Sequence, residues 1–153
     1  MGVGCILNAQ LQFCRYVLVC WILSFMATFI KTILFTDDQG RARFKEETVP
    51  LDEGNPGSRL SALSPSGGYQ LRHSPVGFRS PFHCTTNSQW VFILSGRMRI
   101  GLQDGSTRDF EAGQHFFSAD LLPAGSVFDE SVHGHCSCQL GDEPLVTLFV
   151  RAP

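Results

Sequence analysis

GFRSPFHCTTNSQWVFILSG, residues 77–96, is the stretch on which the fold turns. His83, Thr85, Asn87 and Gln89 fall at every second position, so an extended backbone points all four side chains the same way. Trp90-Val91-Phe92-Ile93-Leu94 follows at once. A polar row running straight into an apolar strand is not ordinary amphipathic patterning. It predicts a small cavity lined by hydrogen-bonding and metal-binding groups, set in a tightly packed barrel or sandwich.

Outward from this stretch the chain reads as short strands separated by turns. Phe29 to Phe35 and Arg41 to Val49 are strands joined by the turn Asp37-Asp38-Gln39-Gly40. Residues 50–68 form a loop punctuated by proline and glycine, with one short strand at Arg59 to Leu63. Further strands are predicted at Tyr69 to Ser74, Gln89 to Leu94, Arg97 to Leu102, Thr107 to Phe110, His115 to Ser118 and Leu145 to Val150. Ser95-Gly96 reads as a hairpin and Asp104-Gly105 as a second tight turn, where glycine supplies positive φ. No helical period is evident after the N-terminal segment. Strands at intervals near ten residues predict an all-β sandwich or barrel.

Composition sets the outer limits. A chain of 153 residues has room for one domain and one core. Hydrophobic residues make up 43% and include thirteen Phe, which fits a globular chain and not a disordered one. The net charge of −2 carries no basic block, so nucleic acid is excluded as a partner. Six cysteines show neither a paired C-x-x-C zinc spacing nor a secreted disulfide framework, and read as reduced thiols. If residues 133–138 are extended, His133 and His135 share one face while Cys136 and Cys138 share the other.

The spacing Gly77, His83, Gln89, Gly96 resembles the first motif of the cupins, in which glycine is followed by His-x-His, a glutamate and a closing glycine. Thr85 stands where that motif has its second histidine, and Gln89 where it has the glutamate. A looser second motif opens at Gly113 and continues through VHGHCSC (132–138), ending in Gly134-His135. The resemblance is to small single-domain bacterial cupins and covers about residues 29–151. It implies a cupin-like antiparallel β-barrel or double-stranded jelly roll. It also implies a divalent ion (Fe, Mn, Ni or Zn) held by His83, Gln89 and His135, with His133 as the alternative to His135. Thr85, Phe82 and Trp90 are the pocket residues expected around it. A site without a carboxylate or a third histidine holds metal weakly. The expected function is therefore metal and small-molecule binding, with oxygenase or isomerase chemistry implied only by the resemblance. The alternative is a metal-free pocket that binds a small polar ligand without catalysis. The partner is a small molecule in either case, and a homodimer is admitted.

Among the other polar residues, His73 and His115 read as surface or strand residues. Asp120, Asp129 and Glu130 are favoured as solvated loop carboxylates, with the alternative that one of them places a carboxylate near the pocket. No G-x-S-x-G elbow or phosphate-binding glycine loop is present.

The first residues pose a separate question. YVLVCWILSFMATFI (16–30) carries no charge but spans only fifteen residues, whereas a bilayer helix needs about 20. A cleaved signal peptide fits poorly, since one Arg precedes the run and no small-x-small site follows. Residues 1–28 are accordingly read as a hydrophobic extension and 29–153 as the barrel domain. With translation from Met26 the protein is expected in the cytoplasm. With the full extension it is anchored in a membrane through residues 16–35.

Overall fold

The computed structural model describes residues 27–153. The readings of residues 1–26 as anchor, leader or upstream extension lie outside the described residues. Among the described residues there is no helix, and so none long and apolar enough to cross a membrane.

Eleven strands are described: β1 (Thr28–Thr36), β2 (Ala42–Pro50), β3 (Glu53–Asn55), β4 (Ser58–Leu60), β5 (Tyr69–Ser74), β6 (Gln89–Ser95), β7 (Arg97–Gly101), β8 (Thr107–Glu111), β9 (His115–Ala119), β10 (Cys136–Leu140) and β11 (Leu145–Arg151). They form a six-stranded sheet in the order β2-β1-β9-β6-β11-β5, a three-stranded sheet β10-β7-β8 and the small β3-β4 hairpin. The chain divides into two compact units. The larger comprises Ile30–Glu47 and Ser64–Pro153 and has an all-β jelly-roll architecture. The described part of the smaller unit comprises residues 27–29 and 48–63. It contains the β3-β4 hairpin, and there the Leu51 N–H donates to the Ala27 carbonyl at 2.9 Å.

Alternation places the core. In β6 the side chains of Val91 and Ile93 are buried, as are Met98 and Ile100 in β7 and Phe116 in β9. Together with Leu34, Ala42, Phe110 and Leu145 they form one cluster drawn from both larger sheets. Burial of such a face contributes about 25 cal/mol per Å² of apolar area removed from water.

The Asp37–Gly40 turn forms as the sequence predicts. Gly40 N–H donates to the Asp37 carbonyl at 2.9 Å, and Asp37 Oδ1 accepts from the N–H groups of Gln39 and Arg41. The Asp104-Gly105 turn likewise joins β7 to β8, with Asp104 Oδ1 accepting from Ser106.

Three features depart from the sequence reading. First, Ser95-Gly96 is not a hairpin, because β6 and β7 belong to different sheets. Gly96, at φ 74°, carries the chain across at a point where a Cβ would stand 2.6 Å from the Pro144 carbonyl oxygen. Second, β1 and β9 run parallel, Ile33 opposite Phe117, so the large sheet is mixed. Third, β10 begins only at Cys136. His133 lies in the turn before it, so it does not extend the strand face of His135.

Candidate ligand cleft around His83 and His135

Residues 77–83 run beside β10 and its preceding turn. Gly77 N–H donates to Gln139 Oε1 at 2.8 Å, Gln139 N–H to the Phe78 carbonyl at 2.9 Å, and Ser80 N–H to the Ser137 carbonyl at 2.8 Å. The run ends in an antiparallel bridge between His83 and His135, whose N–H and C=O groups exchange bonds of 2.9 and 3.0 Å. Directly opposed residues of such a bridge present their side chains together. The imidazole centroids accordingly lie 4.6 Å apart. Gly134 makes this approach possible, since at φ 75° its missing Cβ would stand 2.2 Å from the His83 carbonyl oxygen.

Both rings are oriented by the protein. His83 Nδ1 contacts the Pro81 carbonyl at 2.9 Å. That oxygen can only accept, so Nδ1 carries the proton and Nε2 presents its lone pair when the ring is neutral. His135 Nδ1 lies 2.5 Å from Asp120 Oδ2. The Asp120 carboxylate accepts there, which assigns His135 the same tautomer.

Asp120 is fully buried, which overturns the favoured loop-solvation reading and leaves the alternative of a carboxylate near the pocket. Its Oδ1 accepts from Thr85 Oγ1 at 2.6 Å and from Ser118 Oγ at 3.1 Å. The Thr85 and Ser118 hydroxyls lie 2.6 Å apart. A buried carboxylate is tolerable only when its oxygens are this well supplied with donors. The signal was legible: Phe116 and Ser118 alternate inward along β9, and Asp120 continues that parity one step past the strand.

An open cleft of about 530 Å³ lies above this network. His83, Cys84, Thr85 and Thr86 form one side, and Leu121, Leu122 and Phe128 form an apolar wall. The sequence reading takes Cys84 as a reduced thiol, which it is, but does not place it in the pocket. Burial, and then the negative charge of Asp120, push its thiol above the ordinary value, so it stays protonated near neutral pH.

The remaining expected site residues are dispersed. The period-two row breaks at a bend over Thr86-Asn87, leaving Asn87 exposed and Thr85 buried. Gln89 sits half-buried on the inner face of the large sheet, opposite Ser118, and does not line the cleft. Phe82 is half-buried and also stands outside the lining. Trp90 is displaced altogether: strand alternation turns it to the outer face, where it stacks on Phe92 and meets Phe117 edge-on. His133 is engaged in its own turn. Its Nδ1 accepts the Asp129 N–H at 2.9 Å and its ring lies against Gly40.

The donor set fits a resident metal poorly. Asp120 is committed to His135, Thr85 and Ser118, so the cleft wall offers one imidazole, His83, with His135 buried behind it, and no carboxylate. Among the described residues no three His, Cys, Asp or Glu side chains are grouped to hold an ion.

No protein-family profile matches the sequence, and no curated protein matches it either. Solved structures do. One is a cupin protein from Bacteroides fragilis, at 22% identity over 60% of this chain and 69% of that one, TM-score 0.38. Another is the cupin domain of Schizosaccharomyces pombe Cnp3, at 14% identity over 84% and 83%, TM-score 0.40. A third is the Cupin_2 domain of an XRE-family transcriptional regulator from Enterobacter cloacae, at 16% identity over 83% and 98%, TM-score 0.31. All three are cupin domains. They belong to the superfamily that the Gly77–Gly96 motif resembles.

Proposed function

We propose that this cupin-like domain is a binding module that takes a small, partly apolar molecule bearing hydroxyl or amine donors directly into the cleft. The observation that carries this reading is the tautomer of the histidine pair. Both Nδ1 atoms are engaged by the protein, which leaves the Nε2 lone pair of His83 to face a ligand at the cleft wall, with that of His135 behind it. Leu121, Leu122 and Phe128 would receive the apolar part of the ligand, while Thr86 and the protonated Cys84 thiol add weak polar contacts. Small-molecule sites commonly combine an apolar wall with a few convergent polar groups in this way.

A second reading is favoured by the same tautomer, because metal-binding histidines typically have their other ring nitrogen held. In it, Nε2 of His83 and of His135 bind a divalent ion weakly, with water filling the remaining positions.

One experiment separates the two. Melting temperature is followed for wild type, His83→Ala and Gln89→Glu, first in chelator with a panel of small phenols, hydroxy acids and amino alcohols. The same proteins are then titrated with Mn, Fe, Ni and Zn. Stabilisation by an organic compound in chelator, lost in His83→Ala, supports direct binding. Stabilisation by ions alone, lost in His83→Ala and kept in Gln89→Glu, whose side chain lies outside the cleft, replaces it with the metal reading. No shift with any compound or ion removes both.

A further inference from the structure

Cys136 and Cys138 take no part in the cleft, yet β10 sets them together on one face. Strand alternation buries Ser137 and Gln139 in the interior and leaves both cysteines half-buried on the outer side of the three-stranded sheet. Both thiols are free.

Spacing decides what such a pair can hold. Residues two apart on a strand are separated by about 6.6–6.8 Å, and their side chains stand roughly parallel. A disulfide needs Cβ atoms about 3.5–4.5 Å apart, so these two thiols cannot oxidise to one another without distorting the strand. An ion held in line between two sulfurs has a looser requirement. With metal–sulfur bonds near 2.3 Å, its two sulfurs lie about 4.6 Å apart. Rotation about χ1 that leans each Sγ about 1 Å toward the other reaches that span.

The neighbouring strands leave room and supply charge. Cys136 stands opposite Gly101 in β7, and a Cβ there would lie 2.9 Å from its Sγ, so the thiol uses space that another residue would fill. Cys138 lies between two arginines, Arg99 opposite it in β7 and Arg79 bridged to it on the other side. Arg99 is tied to Asp109 by bonds of 2.6 and 2.8 Å. Arg79 is exposed and makes no ion pair among the described residues, so its charge can balance an anionic complex beside it. Thiolates are soft ligands that select Cu(I).

We propose that Cys136 and Cys138 form a two-coordinate site for a soft monovalent ion of the Cu(I) class on the outer face of β10. The ion takes the place of both thiol protons, which are released to solvent. Two thiolates around one monovalent ion leave a net charge of minus one, which Arg79 offsets. The site is independent of what occupies the cleft, whose lining includes neither cysteine.

The full chain is prepared with Cys5→Ser, Cys14→Ser, Cys20→Ser and Cys84→Ser, which leaves the β10 pair as its only thiols. It is titrated with Cu(I) under anaerobic conditions against the chromophoric chelator bicinchoninate. One Cu(I) per chain is expected, with two protons released. Adding Cys136→Ser or Cys138→Ser should abolish the complex. Arg79→Ala should weaken it about twofold to fivefold, the scale of an exposed charge pair, and Arg79→Lys should restore it. His83→Ala, which alters only the cleft, should leave it unchanged. If the two-thiol chain fails to fold, the unaltered protein serves. With one equivalent of Cu(I), an iodoacetamide pulse read by peptide mass spectrometry should then find Cys136 and Cys138 protected together. No binding, one Cu(I) shared between two chains, a complex that survives loss of either thiol, or protection that falls on the other cysteines instead overturns the proposal.

Discussion

Gly134 stands at φ 75° with the His83 carbonyl where a side chain would begin. An alanine Cβ there would lie 2.2 Å from the His83 oxygen, 2.4 Å from its carbon and 2.9 Å from the Cys84 nitrogen. All three are backbone atoms, so no side chain can swing aside. Gly134→Ala therefore incurs two costs. The left-handed conformation disfavours an L side chain by about 1–2 kcal/mol. Displacement of the His83 segment breaks the two bridge hydrogen bonds. At about 0.5–1.5 kcal/mol net each, they add roughly 1–3 kcal/mol. The expected loss is about 2–5 kcal/mol, read by urea unfolding with linear extrapolation. Gly113 supplies the control, since its φ is 86° and nothing stands within 4 Å of its missing Cβ. Gly113→Ala should lose only the conformational part, about 1–2 kcal/mol. If Gly134→Ala costs no more than Gly113→Ala, the close approach that joins the two histidines is not a feature of the protein. Ligand affinity in the cleft should fall in Gly134→Ala and hold in Gly113→Ala.

Two further outcomes are expected. Cys84 should be alkylated more slowly at about pH 8 than an exposed peptide thiol, because burial and Asp120 hold it protonated. Asp120→Asn should speed the reaction, and peptide-resolved mass spectrometry that finds Cys84 as fast as a free thiol contradicts this account. Asp37 is held below its ordinary value of 3.8, chiefly by the Arg41 N–H, against the opposing effect of desolvation, with Arg43 and the Gln39 N–H lowering it further. Its contribution to stability is therefore present above 3.8 and lost as pH falls through the depressed folded value. The gap in melting temperature between wild type and Asp37→Asn should narrow on acidification from about pH 5 to about pH 2. A gap that widens instead reverses the sign argued here.

The strands of this protein are largely a local matter. Alternation in Gln-Trp-Val-Phe-Ile, turn chemistry at Asp37–Gly40 and Asp104-Gly105, and the apolar run at 145–150 place β1, β2, β6, β8, β9 and β11 within a residue or two. Backbone geometry and side-chain period act over a few residues, and a sequence displays both directly. The first motif also points to His83, and the second to His135, as neighbours.

Which face and which partner each residue takes is decided at long range. The row 83, 85, 87, 89 breaks because the chain must leave the β10 pairing at His83 and enter β6 at Gln89, and the bend at Thr86-Asn87 absorbs the change. That bend separates Gln89 from the cleft and leaves Trp90 on the outer face. Asp120 reads as a loop carboxylate until donors from positions 85, 118 and 135 converge on it. No local pattern encodes such a convergence, because the energy of a buried carboxylate depends on partners far away in sequence. The sequence by itself determined the all-β class, the spans of the strands other than β3, β4 and β10, and the candidacy of the two histidines. Only the tertiary structure decided their common tautomer, the donors gathered on Asp120 and the loss of Gln89 and Trp90 from the site, since each depends on which strands are brought side by side.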